Sequence, residues 1–160
     1  MADMATLSEV EVAWETLLEE SGLADPIHRP NPEEPARDGE AFLVPVTYMN
    51  SSADLKDFVG RHGGVVCTSS NAEGVLTWAF ERAGADGAVL FFPDQHLGRN
   101  TGLAMGISAD RMPTWTPGIG AMGSLEKARI VLWHGFCSVH KRFTPQQITD
   151  FRAKHPGAVV

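Results

Sequence analysis

Three short apolar runs, residues 41–47 (Ala-Phe-Leu-Val-Pro-Val-Thr), 65–67 (Val-Val-Cys) and 87–92, alternate with two stretches of helical periodicity, and this rhythm constrains the fold most. Runs of Val, Leu and Phe without polar alternation read as strands buried on both faces, although Pro45 tempers the first. One helical stretch runs from Ser52 through Leu55, Phe58 and Val59 to His62-Gly63-Gly64; the other runs from Ser70-Asn71 through Val75, Leu76, Trp78, Ala79 and Phe80 to Gly84. Each has polar residues to cap its start and glycine to end it. Strands alternating with helices predict a parallel sheet covered on both faces. The expected fold class is α/β: a three-layer α/β/α sandwich with a short, mainly parallel sheet. A chain of 160 residues supports one such core, so residues 1–160 are expected to form a single domain.

The flanking regions extend the pattern. Leu7, Val10, Ala13, Trp14, Leu17 and Leu18 recur at helical spacing, with Thr6 or Ser8 available as cap and Ser21-Gly22 as stop. Residues 25–40 hold Pro26, Pro30, Pro32, Pro35 and Gly39 among charges, and read as a surface loop. Leu97 to Met105 keeps partial helical spacing, while Pro113, Pro117 and glycines 118, 120 and 123 predict a loop as far as Leu125. Residues 129–133 return as a strand, Thr144-Pro145 opens a helix through Ile148, Phe151 and Ala153, and residues 157–160 look like the start of a further strand.

Charge and composition exclude several classes of function. The net charge of −7 is uneven: residues 1–40 hold 11 acidic and 2 basic side chains, residues 41–160 hold 9 and 11. An acidic front repels phosphate backbones, and no stripe of Lys and Arg interleaved with aromatics follows, so nucleic-acid binding is disfavoured. The longest apolar runs, residues 88–93 and 130–133, fall far short of the roughly 20 residues that cross a bilayer. The amino end has no basic segment followed by an apolar one, and the two cysteines, Cys67 and Cys137, suit a reducing compartment, so the cytoplasm is expected.

Ligands of parallel sheets sit beyond the carboxyl ends of the strands. Three polar clusters follow three strands: Tyr48-Met49-Asn50-Ser51-Ser52, Cys67-Thr68-Ser69-Ser70-Asn71, and His134 through His140. Hydroxyls, amides and free N–H groups at helix starts suit an anionic ligand. Ser52, Ser70 and Asn71 are equally well read as helix caps, and Asn50 as a turn residue. Cys137 with His140 is the sharpest chemical pair, the thiolate as nucleophile or metal ligand and the imidazole as substrate contact or proton carrier, with a simply buried thiol as the alternative for Cys137. Neither Cys67 with His62 nor His96 has zinc spacing, and Cys67 reads as a small core residue. Asp94 reads as a helix cap and Arg99 as an anion contact or salt bridge. No Gly-x-Gly-x-x-Gly or Gly-x-x-x-x-Gly-Lys follows a strand, so dinucleotide and P-loop sites lack their signatures. A small α/β module binding a phosphorylated or carboxylated ligand would satisfy these residues.

Four segments, Tyr48-Met49-Asn50-Ser51-Ser52-Ala53-Asp54-Leu55-Lys56, Cys67-Thr68-Ser69-Ser70-Asn71-Ala72, Pro93-Asp94-Gln95-His96-Leu97-Gly98-Arg99 and Trp133-His134-Gly135-Phe136-Cys137-Ser138-Val139-His140, occur in an order that resembles the quinolinate synthase family. The resemblance covers essentially the whole chain but only the middle third of that family's length. It implies an iron–sulfur transferase of NAD biosynthesis that condenses iminoaspartate with dihydroxyacetone phosphate. It also implies three similar α/β/α domains around a [4Fe-4S] cluster held by one cysteine from each. Carried over by motif, Cys137 is the central domain's cluster ligand, Tyr48, Met49, Asn50, Ser69 and His140 contact substrate, and Tyr48 and His140 are catalytic. Met-Ala-Asp-Met-Ala at the start resembles the segment after the family's first ligand cysteine, and residues 154–160 resemble the segment before its His-Pro-Glu motif. The expectation is a chain that lacks its flanking domains and two cluster ligands, and alone neither holds a stable cluster nor turns over.

Overall fold

A computed structural model describes residues 5–138, 142 and 144–157. Thr6 starts the first helix, α1 (Leu7–Ser21), with a reciprocal capping box to Glu9, and Gly22 ends it in the left-handed region at φ 71°. The chain then builds β1 (Leu43–Tyr48), α2 (Ala53–Arg61), β2 (Val65–Cys67), α3 (Ala72–Ala83), β3 (Ala88–Phe92), α4 (Gln95–Ala104), β4 (Thr114–Thr116), β5 (Gly120–Met122), β6 (Ile130–Trp133) and α5 (Pro145–Lys154). The six strands form one sheet in the order β2-β1-β3-β6-β4-β5, parallel throughout except where β5 pairs antiparallel with β4.

Both faces of that sheet are buried, as unalternated apolar strands require. Leu43, Leu90, Phe92, Val131 and Trp133 pack with α1 and α2 residues such as Val10, Leu17 and Phe58. The intervening Val44, Val46, Val89, Phe91, Ile130 and Leu132 pack with Leu76, Ala79 and Leu97 of α3 and α4 on the other side. The three-layer α/β/α sandwich with a mainly parallel sheet is therefore the observed architecture.

Two differences from the sequence reading have physical causes. The expected loop before Leu125 contains a hairpin: Thr114-Trp115-Thr116 pairs with Gly120-Ala121-Met122, and the chain reverses through Gly118 (φ 74°) and Gly120 (φ 105°). The turn signals at Pro117-Gly118 were present, but Thr114-Trp115-Thr116 and Gly120-Ala121-Met122 lack the continuous apolar run by which the equally short β2 is read. Residues 25–40 are more than surface, because Asp25 is buried and a one-turn 3₁₀ helix covers Pro26–His28. Pro45 is accommodated inside β1 because pairing with β2 begins only at Val46. Of the strand expected at residues 157–160, only Gly157 is described, in a turn with φ 91°; residues 158–160 lie outside the described residues.

Candidate functional site at the carboxyl rim of the sheet

Because β2, β1, β3 and β6 are neighbours and parallel, their carboxyl ends share one edge. Along it lie, in spatial order, the Cys67–Asn71 turn, Tyr48, Asp94 and the segment from His134 to Ser138. Tyr48 closes β1 and is 5% exposed. Burial pushes its phenol pKa above the usual 10.0, the nearby acidic groups Cys137, Asp94 and Cys67 push the same way, and a hydrogen bond with the Ser69 side chain partly opposes them. The phenol therefore keeps its proton at neutral pH and is a hydrogen-bond donor.

The Ser69 turn is tied together locally. Asn71 Oδ1 accepts from the Thr68 N–H at 2.7 Å and from Thr68 Oγ1 at 3.1 Å, and the Ser70 and Thr68 hydroxyls are 3.0 Å apart. This corrects the capping role expected of Asn71: it occupies the N-cap position of α3 but makes no side-chain cap bond. Ser70 likewise bonds within the turn. Ser52 does cap, accepting from the Leu55 N–H at 3.3 Å. The N–H groups at the start of α3 thus face the rim without a side-chain cap.

Asp94, 1% exposed, caps α4 by accepting from the His96 and Leu97 N–H groups at 2.9 and 3.3 Å through Oδ1. Its other oxygen, Oδ2, accepts from the Cys137 N–H at 3.3 Å. Cys137 is free and 2% exposed, yet its sulfur belongs to the rim with Tyr48 rather than to either apolar cluster. Cys67 is the core thiol: wholly buried, with its pKa pushed up to about 12 by burial.

The structure thus brings Tyr48, Ser69 and Cys137 together. Met49 and Asn50 follow Tyr48 with exposed side chains, the Met49 N–H donating to the Cys67 carbonyl at 2.8 Å. His140 lies outside the described residues. Arg99, expected to meet an anion or an acid, donates instead to Thr114 Oγ1 at 3.0 Å. Sequence reasoning missed the second half of Asp94's role, since a helix cap already accounted for an acid at that position. Clefts of about 340 Å³ beside Asp86, Arg111 and Lys127 and of about 560 Å³ beside Asp25, Arg29 and Phe42 lie away from this rim. Among the described residues no three His, Cys, Asp or Glu side chains converge as a metal site, and no helix is long and apolar enough to cross a membrane.

The family model described as quinolinate synthetase A protein matches residues 1–160. Among curated relatives, quinolinate synthase of Corynebacterium glutamicum is 55% identical over 100% of this chain and 36% of its own length. That of Rhodopirellula baltica is 47% identical over 98% of the chain and 36% of its own length, and that of Bacillus anthracis 39% identical over 98% and 38%. No solved structure gave a significant match. The chain therefore spans a little over a third of the length of these relatives. These matches favour the synthase reading over an autonomous binding module, and the chain belongs to the quinolinate synthetase A family.

Proposed function

We propose that this chain forms the central α/β/α domain of a quinolinate synthase, a cytoplasmic transferase condensing iminoaspartate with dihydroxyacetone phosphate to quinolinate, water and phosphate. The observation that carries the reading is the meeting of Tyr48, Ser69 and Cys137 on one rim of the sheet. The Tyr48 phenol, kept protonated and bonded to Ser69, donates to a substrate oxygen. When substrate binds, the Ser69 hydroxyl turns from Tyr48 to a carboxylate, which the uncapped N–H groups at the start of α3 also hold. Asn50 and Met49 line the same edge, and the family resemblance assigns His140, three residues after Cys137, to the substrate as well. The buried Ser51 Oγ, which has no partner among the described residues, is a further hydroxyl that a ligand would satisfy.

A [4Fe-4S] cluster fits this chain through one donor. Cys137 is a free thiol beside the substrate residues, whereas burial keeps Cys67 protonated. The chain has two cysteines in all, so the remaining thiolates belong to flanking domains. When bound, such a cluster supplies a Lewis-acidic iron beside the substrate.

The test is a chimaera in which this chain replaces the matching segment of the Corynebacterium glutamicum synthase, to which it is 55% identical. Quinolinate formation is expected, with loss of cluster absorbance in Cys137→Ala and a lowered kcat in Tyr48→Phe. A brown, active Cys137→Ala chimaera overturns the assignment.

A further inference from the structure

We propose that Asp94 is the positioning residue for Cys137, holding the backbone that carries the thiol against the start of α4. The proposal rests on the reading of Cys137 as the reactive thiol of the rim. Nothing in the sequence links the two residues, which are 43 positions apart. In the fold they close consecutive neighbours in the sheet, β3 and β6, and the carboxylate spans the gap. One oxygen holds the first turn of α4 through His96 and Leu97, and the other holds the Cys137 N–H. A second bond runs alongside, from the Gln95 N–H to the Gly135 carbonyl at 3.1 Å. From the other side, the His134 N–H donates to the Trp115 carbonyl at 2.7 Å.

The segment from His134 to Ser138 has no strand or helix of its own to fix it, so bonds such as these, together with that from the Gly135 N–H to the Trp133 carbonyl at 2.7 Å, set where the sulfur sits. Of these, the Asp94 bond is the one made to Cys137 itself. A carboxylate is the group suited to this, because it accepts on both oxygens at once, and at 1% exposure it faces little competition from water. Asparagine caps helices as well as aspartate does, but it offers one oxygen and turns an N–H₂ donor toward a backbone donor. Asp94→Asn therefore separates the two roles: the cap on α4 survives and the hold on Cys137 does not.

The experiment uses the 160-residue chain without iron. In the wild type, the Cys137 amide is expected among the slowly exchanging amides; rapid exchange there overturns the proposal whether or not any variant folds. In Asp94→Asn, Cys137 amide exchange is expected to quicken about tenfold or more, as for loss of a charge-assisted bond, while His96 and Leu97 stay protected. Alkylation of the Cys137 thiol is expected to quicken with it. Unchanged exchange at Cys137, or equal loss of protection at all three amides, overturns the positioning role. In the chimaera, Asp94→Asn is expected to shorten the lifetime of the cluster in air, and an unchanged lifetime counts against the proposal. A chimaera that holds no cluster sinks the functional reading instead, and the exchange measurements still decide the role of Asp94.

Discussion

The Asp25 carboxylate accepts from the Trp14 indole at 2.8 Å, from the Ile27 N–H at 2.9 Å and from His62 Nδ1 at 2.8 Å, which ties the loop after α1 to the end of α2. A carboxylate only accepts, so the proton lies on Nδ1. Burial alone pushes the Asp25 pKa up, but the bonds from His62, Ile27 and Trp14 outweigh it and leave the value below the ordinary 3.8. A depressed folded pKa stabilises the fold above the unfolded value, and that stabilisation is lost as pH falls through the folded value. Urea midpoints of wild type and Asp25→Asn should therefore differ most near neutrality and converge below about pH 3.8; a gap that persists in acid refutes this. The same scale fixes the inertness of Cys67. With a pKa of about 12, Cys67 is a thiolate in roughly one molecule in ten thousand at pH 8. Native iodoacetamide labelling followed by peptide mass analysis should leave Cys67 unmodified until the chain is unfolded. Residue identity made the buried character of Cys67 legible in advance, because it sits in an apolar run. It did not reveal the second bond of Asp94 or the inward turn of Asn71, because side chains that suit a cap suit a loop network equally well.

Elements were legible in proportion to how much of their stability is local. The first three strands and the helices between them announced themselves because each shows an apolar run or a 3.6-residue period. β4 and β5 did not: β2 is as short but wholly apolar, whereas Thr114-Trp115-Thr116 and Gly120-Ala121-Met122 sit among prolines and glycines that read as turns, and the hairpin exists only because β6 offers an edge to β4. Helix α4 illustrates a limit of propensity. Gly98 and Gly102 look like weak points, yet a Cβ at Gly98 would lie 2.7 Å from both Leu132 Cδ2 and Phe91 Cδ1. Helix propensity favours alanine there by roughly 1 kcal/mol, whereas overpacking a close helix–sheet contact costs about 1–3 kcal/mol. Gly98→Ala should therefore lower stability despite the better helix former, by up to about 2 kcal/mol after that offset. Thermal melting checks the sign: a raised Tm would mean that α4 lifts off the sheet at little cost.

On the scale of the whole molecule, the two ends of the chain make a controlled comparison. Helices α1 and α5 both start with a threonine capping box, Thr6 with Glu9 and Thr144 with Gln147. The sequence reading placed both from apolar spacing, with Thr6 or Ser8 as the first cap and Thr144-Pro145 as the last start, yet spacing does not say what a helix packs against. α1 buries Val10, Ala13, Trp14 and Leu17 against the sheet, with Leu17 1% exposed. α5 buries none of its residues, and Ile148 and Phe151 are 41% and 46% exposed. Its helicity rests on the capping box, Pro145 at the first turn and Arg152 and Lys154 in the last turn, where the helix dipole favours cations. Substitutions in the two helices should therefore diverge. Leu17→Ala should cost about 2–5 kcal/mol, the usual range for deleting buried methyl groups. Ile148→Ser with Phe151→Ser should leave the stability of this chain within about 0.5 kcal/mol, as expected of surface positions. Urea titrations of the isolated chain decide the matter, and an equal loss at both ends would mean that α5 packs on the sheet after all.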